Sequence, residues 1–255
     1  PGNEYFINFS FRLKEATMWA DKGYEVAREQ LDFGLSHFVT ERIDHNTLPE
    51  LQISDKGNLL VLSGEGFSVT FDREQGGLSK LVHNNEVVIE KTLLPYLWRT
   101  PTDNDAGGGR RSFAGRWEQA GLDKNEVEPV SIELARLHPG QAIVYVTNRV
   151  KTSGEDIVYE GEYTVLGDGR IVVNNRFIVP EGTPPLARVG MRTVLPASFN
   201  QLEWYGKGPH ESYIDRGESA FVGLYNGTVE EQHFTHVMPQ ENGNKMDVRW
   251  LSLSS

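Results

Sequence analysis

Residues 157–179 read Ile157-Val-Tyr-Glu-Gly-Glu-Tyr-Thr-Val-Leu-Gly-Asp-Gly-Arg-Ile-Val-Val-Asn-Asn-Arg-Phe-Ile-Val179. Ile157, Tyr159, Tyr163 and Val165 alternate along the first half, and Ile171, Val173, Phe177 and Val179 along the second. A period of two is that of an extended chain with one face buried. Between the halves, Leu166-Gly167-Asp168-Gly169 supplies residues that accept the positive φ of tight β turns. The stretch predicts a β-hairpin.

The same period recurs outward from it. Val130, Ile132 and Leu134, then Ala142 to Val146, predict a second hairpin around His138-Pro139-Gly140. Phe67, Val69 and Phe71 predict a strand closed by Gln75-Gly76-Gly77. Near the start, Tyr5, Ile7, Phe9, Phe11 and Leu13 share one face, and Ala27, Leu31, Phe33 and Leu35 repeat the pattern more weakly. One short helix is expected: Ser112 caps it, Phe113, Trp117 and Ala120 fall on one face, and Gly121 sits where it stops. Everything else reads as strands and loops, so the fold class is all-β, a sandwich with one short helix. Residues 40–56 mark a boundary, because Thr40 to Pro49 is polar and without period. The segment before it holds two or three strands, too few to close a sandwich alone, and is expected to be part of a larger domain. The stretch Trp250 to Ser255 ends inside apolar alternation, as the first half of a strand would.

A chain of 255 residues buries enough surface to fold without staples. Its 36 acidic and 25 basic residues leave a formal charge of −11, which opposes a nucleic-acid partner and an anionic membrane surface. Cysteine is absent, which excludes disulfides, thiolate metal sites and cysteine nucleophiles, and leaves the compartment open. Five Trp and nine Tyr suit both a packed β core and the stacking of flat rings on pyranoses.

Three clusters hold the chemistry-bearing residues. Arg99 to Arg111 packs Asp103, Asn104 and Asp105 against Gly107, Gly108 and Gly109, where glycines allow a mobile loop or a close backbone approach to a ligand. It is no EF-hand, since the twelfth position from Asp103 is Ala114, and it lacks the Gly-Lys-Ser/Thr of a phosphate loop. The plainer reading is a polar turn that satisfies its own backbone. Trp204 to Arg216 holds His210, Glu211 and Asp215, a set for acid–base work only if the side chains converge. Pro239 to Lys245 brings Glu241 and Asn242 into an Asn-Gly turn. Glu230, Glu231, His233 and His236 make a poor metal set, because histidines three apart on a strand face opposite ways. No Gly-x-Ser-x-Gly nucleophile elbow is present.

Arg99-Thr-Pro-Thr-Asp-Asn-Asp105, Arg116-Trp-Glu-Gln-Ala-Gly121, Ala187-Arg-Val-Gly190, Trp204-Tyr-Gly-Lys-Gly-Pro-His-Glu-Ser-Tyr-Ile-Asp-Arg216 and Pro239-Gln-Glu-Asn-Gly243 occur in this order. Together they closely resemble the C-terminal part of large bacterial β-galactosidases of glycoside hydrolase family 2. Thr17-Met-Trp19 and Ala27-Arg-Glu-Gln-Leu31 resemble the end of the immunoglobulin-like domain before it. The resemblance implies two domains. Residues 1–45 would be the C-terminal part of an immunoglobulin-like sandwich. Residues 56–255 would be a β supersandwich like that of galactose mutarotase, truncated at its C-terminus.

The resemblance further implies a parent enzyme that hydrolyses terminal non-reducing β-D-galactosides with retention. Such chemistry needs two carboxyl groups about 5 Å apart, and the family draws both from a (β/α)8 barrel that this stretch does not contain. Asn3-Glu4 mimics the family's acid/base pair but opens an alternating strand, so no catalytic residue is assigned. The chain alone is expected to be inactive and to shape the mouth of the active site. Asp103, Asn104, Asp105, Gly107, Gly108, Glu241 and Asn242 are the substrate-side residues, as braces of the mouth first and as sugar contacts second. The loop at Ala106 to Gly109 matches the family segment that moves over the site, here in a shorter form, and three glycines suit a hinge. The resemblance implies no metal and no cofactor in this region, the family's Mg and Na or K belonging to other domains. Its partners would be the β-galactoside, the other domains of the same polypeptide and further subunits of a homo-oligomer. It implies a bacterial source, cytoplasm and periplasm both being open. Two other readings compete: a stand-alone carbohydrate-binding module, and a mutarotase-like epimerase using His210 and Glu211.

Overall fold

The computed structural model describes residues 3–34 and 43–255. The chain divides into two compact units, Pro1–Ile43 and Asp44–Ser255. In the first, β1 (Phe6–Arg12) pairs antiparallel with β2 (Glu25–Asp32), with Ile7 opposite Leu31 and Phe11 opposite Ala27. The expected alternation is there, yet Tyr5, Ile7, Phe9, Phe11, Leu31 and Phe33 are all exposed. A two-stranded ribbon has no second layer to bury them. Leu35 lies outside the described residues.

The first strand of the second unit is β3 (Gln52–Lys56). β4 (Leu59–Gly64), β5 (Phe67–Asp72), β6 (Gly77–His83), the two-residue β7 (Glu86–Val87) and β8 (Lys91–Tyr96) follow. After two short α-helical segments and two 3-10 turns come β9 (Val127–His138), β10 (Gln141–Val150), β11 (Ile157–Leu166) and β12 (Ile171–Ile178). The last strands are β13 (Gly190–Val194), β14 (Gln201–Gly208), β15 (Phe221–Thr228) and β16 (Trp250–Ser254). They form a seven-stranded sheet in the order β13-β8-β6-β5-β4-β3, with β7 beside β6. A four-stranded sheet runs β12-β11-β10-β9, and a three-stranded one β15-β14-β16. Among the described residues, no helix is long and apolar enough to cross a membrane.

The opening hairpin forms as read. Val165 faces Ile171, Tyr163 faces Val173, and Gly169 turns the chain with φ +89°. The Asp168 carboxylate accepts from the Arg170 backbone and guanidinium. The second hairpin also forms, with one deviation: Val130 is exposed, although Ile132 is buried. Thr147 pairs with Ser131 and Asn148 with Pro129, so Val130 is the extra residue of a bulge and its face is lost.

The seven- and four-stranded sheets pack face to face. Leu60, Leu62, Val69 and Phe71 from one meet Ile132, Val144, Val146, Tyr159, Tyr163 and Val165 from the other in a single buried cluster. Burying a side chain of this size stabilises by about 1.5–3 kcal/mol, which makes this layer the main source of cohesion. Two tyrosines in its middle have polar tips to satisfy. Tyr159 Oη lies 2.9 Å from Tyr163 Oη and donates to Asn175 Oδ1 at 2.8 Å. Gly161 leaves room for them, since a Cβ there would sit 2.2 Å from Tyr159 Oη. Burial pushes both phenols well above the ordinary tyrosine range.

Candidate functional site

β8 delivers the chain to one end of the sandwich. Leu97 is fully buried, and the side chain of Asn125 accepts from its amide and donates to the Pro95 carbonyl, so the exit of the strand is held. The expected helix is α2 (Phe113–Gln119). Its Ser112 Oγ accepts from Gly115 N at 3.0 Å, and Gly121 follows it with φ +75°. Trp117 and Ala114 bury against Leu97, Val150 and Ile157, which docks the helix on the sandwich end. Trp117 Nε1 donates to the Pro185 carbonyl at 2.6 Å.

The glycine-rich stretch is more ordered than a loop reading implies. Asp103–Ala106 is a single helical turn, α1, and Gly109–Arg111 is a 3-10 turn. Asp105 makes the first of these possible. Its carboxylate reaches back to accept from Thr102 N and Thr102 Oγ1, both at 2.8 Å, the acid half of a capping box. Arg99 grips the same carboxylate with both terminal nitrogens, at 2.5 and 3.0 Å. Gly107 closes the turn in an extended conformation, while Gly108 and Gly109 take φ +104° and +60°. A side chain at Gly108 would be strained, which accounts for the glycine.

A pocket of about 640 Å³ opens beside this turn. Its floor is apolar: Phe113, Trp117, Leu186, Ala187 and Met246. Its rim carries Arg99, Asn104, Arg188, Tyr213 and Asp215. The Arg99 guanidinium stands 5.4 Å from the Trp117 ring centroid. Burial pushes the Tyr213 phenol up to about 12, and its hydroxyl is buried without a hydrogen-bond partner among the described residues. Each arginine of the rim is matched by an acid, Arg99 by Asp105 and Arg188 by Glu241 at 2.5 Å. The pocket therefore pairs an apolar floor with a polar rim, on which Asp215 accepts from Asn104.

Of the seven residues expected on the substrate side, Asn104 and Asp105 line the pocket, and Asp103, Gly107, Gly108, Glu241 and Asn242 do not. Asn104 Nδ2 donates to Asp215 Oδ2 at 2.5 Å, and the Asp103 amide donates to Gln240 Oε1 at 3.4 Å. Glu241 Oε2 accepts from Thr100 N at 3.1 Å while Oε1 holds Arg188. Asn242 Oδ1 accepts from Phe234 N at 2.9 Å, and its amide nitrogen donates to the Phe234 carbonyl. Asp105, Glu241 and Asn242 are thus spent on the protein's own backbone and arginines. Asn104, Gly107 and Gly108 lie on the turn itself. Arg99, Arg188, Tyr213 and Asp215 belong to the pocket too. Of the two acids at 103 and 105, Asp105 pairs with a cation, Arg99.

His210 and Glu211 do not lie on a strand, since β14 ends at Gly208. They diverge in a loop, His210 Nε2 to Ser219 Oγ at 2.8 Å and Glu211 into the interior, so they do not form an acid–base pair on one substrate. His233 and His236 are not on a strand either; they follow a 3-10 turn. His236 Nε2 sits 3.0 Å from Glu211 Oε1, close enough to pair as ions but without hydrogen-bond alignment.

The fold and the pocket together define the class, an all-β sandwich domain with an apolar-lined, polar-rimmed pocket at one end. Comparison with known proteins narrows that class. Residues 63–255 match the family model described as beta galactosidase small chain, and residues 1–34 match beta-galactosidase, domain 4. The chain belongs to the β-galactosidase small-chain family. Similar curated proteins include a β-galactosidase of Vibrio cholerae, 30% identical over 100% of this chain and 25% of its own length. Others are those of Priestia megaterium, 32% identical over 99% and 24%, and Halalkalibacterium halodurans, 33% identical over 98% and 24%. The chain spans about a quarter of the length of the curated relatives it matches.

Proposed function

We propose that this chain is the accessory C-terminal region of a glycoside hydrolase family 2 β-galactosidase. In this reading the parent polypeptide hydrolyses terminal non-reducing β-D-galactosides with retention. The paired carboxylates are contributed by a barrel elsewhere in it, and this region shapes the mouth of the active site. Residues 1–45 act as the end of an immunoglobulin-like domain and 56–255 as the supersandwich. The observation that carries the reading is the α1 turn. Motif residues from three separate segments, 99–105, 188 and 241, converge to fix one glycine-bearing turn beside a sugar-sized pocket. Asn104, Gly107 and Gly108 present the substrate-facing edge, with Asp103 beside them. Asp105, Glu241 and Asn242 brace it. We assign no catalytic residue, metal or cofactor to this chain, and place the family's Mg and Na or K in other domains. The partners are those other domains and further subunits of a homo-oligomer. The test is hydrolysis of a chromogenic β-galactoside by the whole polypeptide and by residues 1–255 alone. Turnover by the first and none by the second is expected; enzyme-like turnover by residues 1–255 overturns the accessory role.

A further inference from the structure

Glu211 is a buried acid that the pocket does not use. It is 5% exposed; its Oε2 accepts from Gly243 N at 3.0 Å and its Oε1 from Arg216 at 3.5 Å, while His236 Nε2 lies 3.0 Å from Oε1 without hydrogen-bond alignment. Its neighbour Ser212, fully buried, binds the same segment three more times. Ser212 N donates to the Asn244 carbonyl at 2.8 Å, Asn244 Nδ2 to the Ser212 carbonyl at 2.7 Å, and Met246 N to Ser212 Oγ at 3.0 Å. Residues 239–246 are outside any strand, and these contacts hold them, together with those of Asn242 to Phe234 and of Lys207 N to the Met246 carbonyl. Glu241 in that segment then holds Thr100 N and Arg188. The links run from 211–212 to 241–246 and from there to 99–105.

We infer that Glu211 is a positioning residue: it fixes segment 239–246, and through Glu241 it fixes the 99–106 turn that borders the pocket. For its effect on substrate, this rests on the function proposed above. Buried carboxylates that accept several donors are costly to remove, because the donors are left unmatched. A displaced turn would weaken substrate binding before and at the transition state alike, which raises KM and spares kcat.

The experiment uses the whole polypeptide carrying this chain. Glu211→Ala is expected to raise KM for a chromogenic β-galactoside by up to about tenfold with kcat nearly unchanged. Glu211→Gln keeps an acceptor for the Gly243 amide and is expected to recover most of the loss. Hydrogen exchange in Glu211→Ala should quicken at 239–246 and also at 99–106. Leu62→Ala, in the sandwich core, serves as the control for general destabilisation and should quicken neither segment selectively. Exchange that rises at 239–246 only, or a KM no higher than that of Leu62→Ala, overturns the inference. If the whole polypeptide hydrolyses no β-galactoside, the functional reading has failed, and exchange at 99–106 alone decides the positioning. If Glu211→Ala does not fold, Glu241→Ala cuts the second link and must quicken 99–106 without quickening 211–216.

Discussion

Tyr163 and Asp105 are both buried, but on opposite terms. Tyr163 is enclosed by apolar side chains of two sheets, its ring edge-on to Phe71 at 5.3 Å, and one hydroxyl partner satisfies it. Asp105 is enclosed by donors, Arg99 and Thr102, and would not be tolerated there without them. The sandwich coheres by area, which is non-directional and forgiving of small shifts. The pocket end coheres by directed polar contacts, each of which specifies a position. A turn that must be placed accurately beside a ligand is better held by the second kind.

The contrast can be broken by cutting each region separately. Phe71→Ala should cost about 3–5 kcal/mol in chemical denaturation, the transfer and cavity penalty of a fully buried ring, and leave hydrogen exchange at 99–106 unchanged relative to neighbouring strands. Asp105→Ala should cost about 2–3 kcal/mol, since it strands Arg99, whose side chain is only 18% exposed. Its signature is local: exchange at 99–106 quickens while the β4–β5 amides stay protected. If Phe71→Ala loosened the turn as much as Asp105→Ala does, the two regions would be one cooperative unit.

The smallest effect concerns the tyrosine pair. Tyr159 and Tyr163 titrate higher folded than unfolded, because burial opposes the phenolate. Their contribution is therefore fully present below the unfolded value near pH 10 and lost above it, where the unfolded chain sheds protons that the native one keeps. Unfolding free energy should fall by up to about 1.4 kcal/mol per pH unit for each tyrosine above that point. Tyr159→Phe should remove one increment of that slope. An unaltered alkaline limb would show that these phenols are not protected by the core.

Much of the sandwich was legible because strand burial repeats every second residue. Phe67, Val69 and Phe71 are buried as their alternation implies, and Ser112 and Gly121 bracket α2 as caps do. Val130 misled because a bulge changes the parity of a strand without any local mark in its apolar pattern. The α1 segment was legible as a polar turn that satisfies its own backbone, as Asp105 on Thr102 N shows, but not as a helical turn, because the glycines after it carry no helical period. Arg188 and Glu241 had no signal at all as a pair.

Local pattern was enough for the strands, the turns between them and the one capped helix, since period and cap chemistry act over a few residues. Which acid meets which cation was settled only by folding. Arg188 and Glu241 are 53 residues apart and Thr100 and Glu241 are 141 apart. No short-range rule links such positions; the stacking of sheets brings them to one end, and the low polarizability of that interior then makes their pairing obligatory.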